Sequence, residues 1–295
     1  MTSLESAAAP LSRRAFLQTS SALLASLSAA AEASTAEQKA WIDTNISLGH
    51  WPFRQHRLAE PAALVEKLLT QGITEAWAGS FDALLHKDIS SVNDRLAADC
   101  QKHGPGFLRP MAALNPTLPG WEEDLRRVVE VHDMPGIRLH PNYHGYALDD
   151  PRFERVLSLA TETRRLVQIA VIMEEERTIH SRVNVPATDT APLTKILQKH
   201  PQLKVQLLNA FRTIRGLSIA SLAKLGVSFE IAMLEGVNGV ANLLEKLPAE
   251  QLCFGSHAPF FYFESAKLKL QESDLTPAQL NALRSSSARR LSGGS

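Results

Sequence analysis

Histidine, carboxylate, amide and arginine side chains recur just past the ends of short apolar runs in this sequence. These are the types that ligate divalent ions, move protons or steady an oxyanion. The first run brings Asp43 and Asn45, with Ser47, His50 and Arg54 behind them; the second brings Ser80 and Asp82, the third Asn115. The fourth delivers Arg138, His140, Asn142 and His144, and the fifth closes on Met173-Glu174-Glu175-Glu176-Arg177 with His180 beyond. Asn209 and Arg212 follow the sixth run, Glu230 ends the seventh, and Ser256 and His257 follow the eighth. A single histidine in such a place is ordinarily a solvated or hydrogen-bonded side chain. The set is a different matter, because burying polar groups unpaired costs several kcal/mol each and a shared polar pocket avoids that cost. In such a pocket His140 or His257 would act as general base, and Arg138 or Arg177 would receive a carboxylate or an oxyanion.

A repeated unit must position these residues. Short β-branched runs alternate with longer stretches of helical periodicity, the pattern of βα units around a parallel sheet. Strands are predicted at residues 40–45, 75–79, 108–114, 136–140, 166–173, 204–208, 227–231 and 251–255. Helices are predicted at 61–71, 89–102, 121–132, 151–163 and 191–199, with a helical tail over 277–291. Pro61 suits a first helical turn and Gly72 an exit. About eight such units imply the α/β class and a closed (β/α)8 TIM barrel, whose working groups lie at the C-terminal ends of the strands. An open doubly wound sheet is the alternative, but neither a GxGxxG nor a GxxxxGK[ST] turn occurs. The loop 174–190 is long enough to lid the pocket.

Composition narrows the partners. Thirty-one basic residues balance 31 acidic ones, so nothing favours nucleic acid, and a small-molecule substrate is the expected partner. Homo-oligomerisation is left open. The two cysteines, Cys100 and Cys253, fall far apart and in no zinc spacing, and are read as free thiols. Residues 1–33 read as an address: Arg13-Arg14 precede Phe16-Leu17, a weakly apolar run follows over 19–31, and Ala31-Glu32-Ala33 offers a small-x-small cleavage site. This order resembles a bacterial twin-arginine signal. It implies passage through the Tat export machinery, cleavage near Ala33, a periplasmic or extracellular home, and a mature domain over 34–295. The run is too short to span a bilayer and no cysteine stands at the cleavage point, so no stable membrane anchor is expected.

Four segments carry a family resemblance. Ile42-Asp43-Thr44-Asn45-Ile46-Ser47 resembles the first-strand signature of the amidohydrolase-related (amidohydrolase 2) family of metal-dependent hydrolases. Gly136-Ile137-Arg138-Leu139-His140-Pro141 is similar to its fourth strand, Cys253-Phe254-Gly255-Ser256-His257-Ala258-Pro259-Phe260 to its eighth, and Ser287-Ala288-Arg289-Arg290-Leu291 to its terminal helix. The resemblance implies a hydrolase acting on a small carbonyl substrate, a lactone, ester or amide of a sugar or aromatic acid, with decarboxylation another outcome. It assigns catalysis to His257, His140 and Asp43, and substrate contacts to Asn45, Arg138, His144, Arg177, Asn209 and Glu230. The sequence departs from the family at the metal. Asn45 and Ser47 stand where the family has His-x-His, and His257 where it has an aspartate. Any single divalent ion, zinc or similar, would therefore be held by a site rebuilt around His257 and His140. The alternative is a non-catalytic exported binding protein on a barrel that lost its ligands. Either way, His140 and His257 are expected to face one cavity with Asn45.

Overall fold

The computed structural model describes residues 40–293 apart from 176, 181, 182, 184 and 215; the twin-arginine segment lies outside them. Eight parallel strands follow one another in chain order: β1 (Ile42–Leu48), β2 (Glu75–Ser80), β3 (Leu108–Ala113), β4 (Gly136–Leu139), β5 (Leu166–Ala170), β6 (Val205–Leu208), β7 (Ser228–Glu230) and β8 (Leu252–Cys253). The ring is completed past the short β8. Thr44 donates to the Phe254 carbonyl at 3.0 Å, His257 to Asn45 at 2.8 Å and Ser47 to Ala258 at 2.9 Å, all through backbone N–H groups. This is a nearly closed (β/α)8 barrel, and Trp41–Ser295 forms one compact unit. Among the described residues no helix is long and apolar enough to cross a membrane.

Alternation along the strands sorts the side chains. Ile137, Leu139, Val167, Ile169, Val205, Leu207 and Phe229 belong to one apolar cluster with helix residues such as Leu64, Leu68, Phe153, Val156, Leu222 and Val240. The intervening residues Arg138, Gln168, Gln206 and Ser228 stand side by side in register across β4 to β7. The middle layer of the barrel is therefore polar, where branched apolar side chains are the rule. It is held by hydrogen bonds: Gln168 Nε2 donates to Gln206 Oε1 at 2.7 Å and to the Thr44 carbonyl at 2.9 Å, and Gln206 Nε2 to Thr44 Oγ1 at 2.9 Å.

Several predicted elements differ from the fold, among them the helix expected at 191–199, which is one α turn at Leu193–Ile196 and a 3-10 turn at Leu197–Lys199. β1 runs on to Leu48 with an irregularity between Asp43 and Ile46, which turns Asn45 and Thr44 to separate partners. β5 stops at Ala170, because the Val171 carbonyl accepts from Thr188 N–H and the chain then leaves the sheet. The tail is not one α-helix. A capping box at Thr276 and Gln279 starts it, and a wider π turn at Ala282–Ser286 precedes Ser287–Ser292. Cys100 and Cys253 are both free and buried.

Candidate functional site

Asp43 and Arg138 anchor the floor of the barrel mouth. Asp43 Oδ1 accepts the N–H groups of Asn45 at 3.1 Å and Ser256 at 3.0 Å, tying β1 to the end of β8, while Oδ2 has no hydrogen-bond partner among the described residues. Burial pushes its pKa up to about 6 against the pull of those hydrogen bonds and of Arg138. Arg138 donates through Nε to Gln168 Oε1 at 2.8 Å and through Nη1 to the Ile46 carbonyl at 2.6 Å. Its Nη2 reaches the Trp77 carbonyl at 3.1 Å and that of Thr44 at 3.4 Å. Four of its five N–H groups are thus engaged by the barrel itself, and burial lowers its pKa to about 9. Its work is to hold β1, β2 and β4 together, which leaves no fork for a substrate carboxylate.

Above this floor lies a closed network. Asn45 Nδ2 donates to Asn209 Oδ1 at 3.0 Å and to Glu230 Oε1 at 3.3 Å. Glu230 also accepts the backbone N–H of Asn209 and, through Oε2, that of Ala232, both at 2.5 Å. Asn209 Nδ2 donates to the Ile172 carbonyl at 2.8 Å. His257 Nε2 lies 2.7 Å from the Met173 carbonyl, which only accepts, so Nε2 carries the proton. Asn209 and His257 both take left-handed φ values of 57°, a backbone cost that aims their side chains at the barrel axis. Burial drives the His257 pKa down to about 4 and that of Glu230 up to about 7. Gly255 belongs to the same arrangement: a Cβ there would stand 2.5 Å from Glu230 Oε2.

A divalent ion does not fit these residues. A zinc-like ion asks for three or four donors with free lone pairs converging on a point. Glu230 Oε1 already accepts two N–H groups and Oε2 one, the Nε2 of His257 is a donor that leaves only Nδ1 with a lone pair, and Asn45 and Ser47 are neutral. Among the described residues no group of three His, Cys, Asp or Glu is arranged to hold a metal. His257 and His140 lie near enough to feel each other's charge, and among the described residues no third His, Cys, Asp or Glu is placed with them to complete a set of ligands. Asn45, His140 and His257 do converge on the barrel mouth, yet they are 1%, 2% and 1% exposed and sealed from solvent.

An aromatic cap makes the seal. Phe260 stacks on the His257 ring at 5.1 Å, and Trp51 and Phe81 pack edge-on against Phe260 at 4.9 and 5.0 Å. Tyr143 and His56 close the sides, and Phe53 stacks on His180 from the 174–190 loop at 6.0 Å. Beside the cap is Glu174, 5% exposed. Its Oε1 is 3.5 Å from Arg54 Nη2, and its Oε2 has no hydrogen-bond partner among the described residues. Burial raises the Glu174 pKa, while Arg54, the facing Trp51 indole and His180 hold it down. Tyr143 has its own pKa pushed up, by burial first and by the Glu174 charge second. Among the described residues His140 Nδ1, His144 Nδ1, Trp51 Nε1 and His56 Nε2 also lack hydrogen-bond partners. His144 Nε2 is 2.8 Å from the Ala83 carbonyl, and burial keeps His140 neutral with its pKa well below the ordinary value.

Of the residues read from sequence, Asp43, Asn45, Arg138, His140, Asn209, Glu230 and His257 gather at the C-terminal end of the barrel, with His144 6.0 Å from His140. Arg177 does not join them. Its side chain is 78% exposed and pairs with Glu175. The residues without an assigned role were Glu174, Arg54 and Trp51. Glu174 is the first of three consecutive glutamates, and only the way β5 leaves the sheet singles it out.

Comparison with known proteins agrees with the fold. The profile of the amidohydrolase family matches residues 40–208. No curated protein sequence matches the chain. The fold resembles a 5-carboxyvanillate decarboxylase from Novosphingobium aromaticivorans complexed with manganese and 4-hydroxy-3-methoxy-5-nitrobenzoic acid (TM-score 0.68, 13% identity, 87% of this chain and 97% of that one). It also resembles a 2,6-dihydroxybenzoate decarboxylase from Rhizobium (0.63, 14%, 85% and 99%). A dihydroxybenzoic acid decarboxylase from Polaromonas with bound manganese is similar too (0.64, 12%, 86% and 97%).

Proposed function

Because this chain belongs to the amidohydrolase family, whose members are enzymes, we propose that it is an exported, metal-independent enzyme of that family. It takes a small carbonyl- or carboxyl-bearing molecule at the C-terminal mouth of the barrel. The observation that carries the reading is Glu174: a buried carboxylate with one unpartnered oxygen, set against Arg54 beneath an aromatic cap. A carboxylate whose pKa is raised by burial is a better base than a solvated one, and the half-exposed Arg54 is the cation placed to receive a carboxylate or an oxyanion. Neutral His140, with its free Nδ1, is a second proton acceptor.

In a hydrolysis, Glu174 would take a proton from water as its oxygen adds to an ester, lactone or amide carbonyl. The substrates of the decarboxylases that share this fold are aromatic acids, and the lining of Trp51, Tyr143 and Phe260 suits the same class. The measurement that tests the reading is turnover of aromatic esters, lactones and carboxylates by wild type and Glu174→Gln in chelated buffer. Hydrolysis or decarboxylation by wild type, lost in the variant, supports it; turnover indifferent to Glu174 removes it.

The sealed Asn45–Asn209–Glu230–His257 network favours a second reading, a binding protein that keeps the mouth without chemistry. Saturable ligand binding without turnover, weakened by Glu174→Gln, would be its signature. Export rests on residues 1–33; secreted protein beginning near Ser34, read by intact mass, supports it, and retention of Met1 in the exported fraction opposes it.

A further inference from the structure

The opposite end of the barrel carries charge that the proposed chemistry does not use. Two adjoining cavities of about 290 and 680 Å³ open at the N-terminal ends of β3 to β6 and share Pro135, Arg164, Arg165 and Ser292 as a common wall. Lys204 lines the smaller cavity, and Arg109 and His132 line the larger. The carboxylates within reach are few. Asp133 pairs with Arg165 at 2.9 Å, Glu75 with Arg109 at 3.3 Å and Asp94 with His132 at 2.8 Å. Arg164 and Lys204 have no ion-pair partner among the described residues, and the buried Nε of Arg165 has no acceptor.

The backbone adds an independent observation. Arg164 follows the helix Pro151–Glu162 and its Thr163 cap with a left-handed φ of 56°. Glycine occupies that conformation freely and asparagine tolerates it, whereas a long side chain enters it at a cost. What arginine supplies there, and glycine could not, is a guanidinium at the junction of two cavities with no ion-pair partner among the described residues, Asp133 in the larger cavity being paired with Arg165.

We infer that this face binds a small anion carrying at least two charged groups, either a phosphoanhydride or phosphate ester or a polycarboxylate. Arg164 sits between its two ends, with Lys204 on one side and Arg109 on the other. The reacting groups of such a barrel lie at the other end, so this is a binding site separate from the mouth and independent of the reaction proposed there.

Isothermal titration of the full chain at low salt tests it, with pyrophosphate and citrate as the two probes and sodium chloride of matched ionic strength as control. One of the two is expected to bind saturably at one site per chain. Arg164→Gly is expected to weaken that binding at least tenfold while leaving the melting temperature equal or higher, since it removes the guanidinium and relieves the backbone. Arg155→Gln, an exposed change elsewhere, should bind as wild type. Saturation by pyrophosphate alone identifies the phosphate class, and by citrate alone the polycarboxylate. No saturation by either at millimolar concentration, or equal binding by Arg164→Gly, overturns the inference.

Discussion

The Nε2 atom of His257 lies 2.7 Å from the carbonyl oxygen of Met173, so a ring that the sequence offers as a metal ligand is a hydrogen-bond donor to the chain leaving β5. Around it, the neutral amides of Asn45 and Asn209 and an already bonded glutamate tie the ends of the strands together.

The first consequence is analytical. Protein purified without chelator is expected to hold zinc, manganese and iron well below one equivalent, and its melting temperature to be unchanged by chelator. Elemental mass spectrometry checks it. Near-stoichiometric metal bound with a chelator-sensitive melting temperature would mean the network opens to admit an ion.

Glu174 gives the second. If it is the base, the rate must rise with pH as the carboxylate ionises, with a midpoint above the ordinary 4.5 because burial raises its pKa. Glu174→Gln should cost about 10²- to 10⁴-fold in kcat and remove that limb of the profile. A profile identical in wild type and variant would assign the base elsewhere.

Glu230 gives the third, in stability. Its folded pKa is raised to about 7 from 4.5, so its contribution is fully present below about pH 4.5 and is lost as pH rises through about 7. His257 and His140 run the other way, because their folded values are depressed and they contribute only above the unfolded value of 6.5. The carboxylate is therefore isolated by difference. Between pH 5 and 8, urea denaturation should show wild type losing stability relative to Glu230→Gln by roughly 3 kcal/mol at most. A flat difference would place Glu230 in a wetter site than its burial indicates.

The eight βα units were legible because short, largely apolar runs alternate with stretches of helical periodicity, and even the strand-end residues Asp43, His140 and His257 could be located by position alone. What those side chains bond to was not legible. A sequence does not say that Arg138 turns inward onto the carbonyls of Ile46 and Trp77, or that His257 turns onto that of Met173. Glu174 and Glu175 are neighbours of one type; the geometry of a single bend buries the first carboxylate and gives the second Arg177 and Arg212 as partners. The polar middle layer was equally hidden, since Gln168 and Gln206 read as interruptions of apolar strands until their register brings them side by side.

That layer yields the last prediction. A Cβ on Gly79 would stand 2.7 Å from Arg138 Nη1 and 2.9 Å from its Cδ, well inside contact distance. Gly79→Ala must therefore displace the guanidinium from the Ile46 and Trp77 carbonyls, leaving a buried cation with fewer acceptors and two strands without their cross-tie. Loss of partners for a buried charge costs about 3–5 kcal/mol, far more than the half to one kcal/mol by which alanine outdoes glycine in regular structure. Urea denaturation is expected to show Gly79→Ala destabilised by about 3 kcal/mol or more. Arg138→Met in the same background should recover much of that loss, because an apolar chain of similar length needs neither the acceptors nor the space. If Gly79→Ala alone proves neutral, Arg138 does not hold the barrel together and becomes available to a substrate after all.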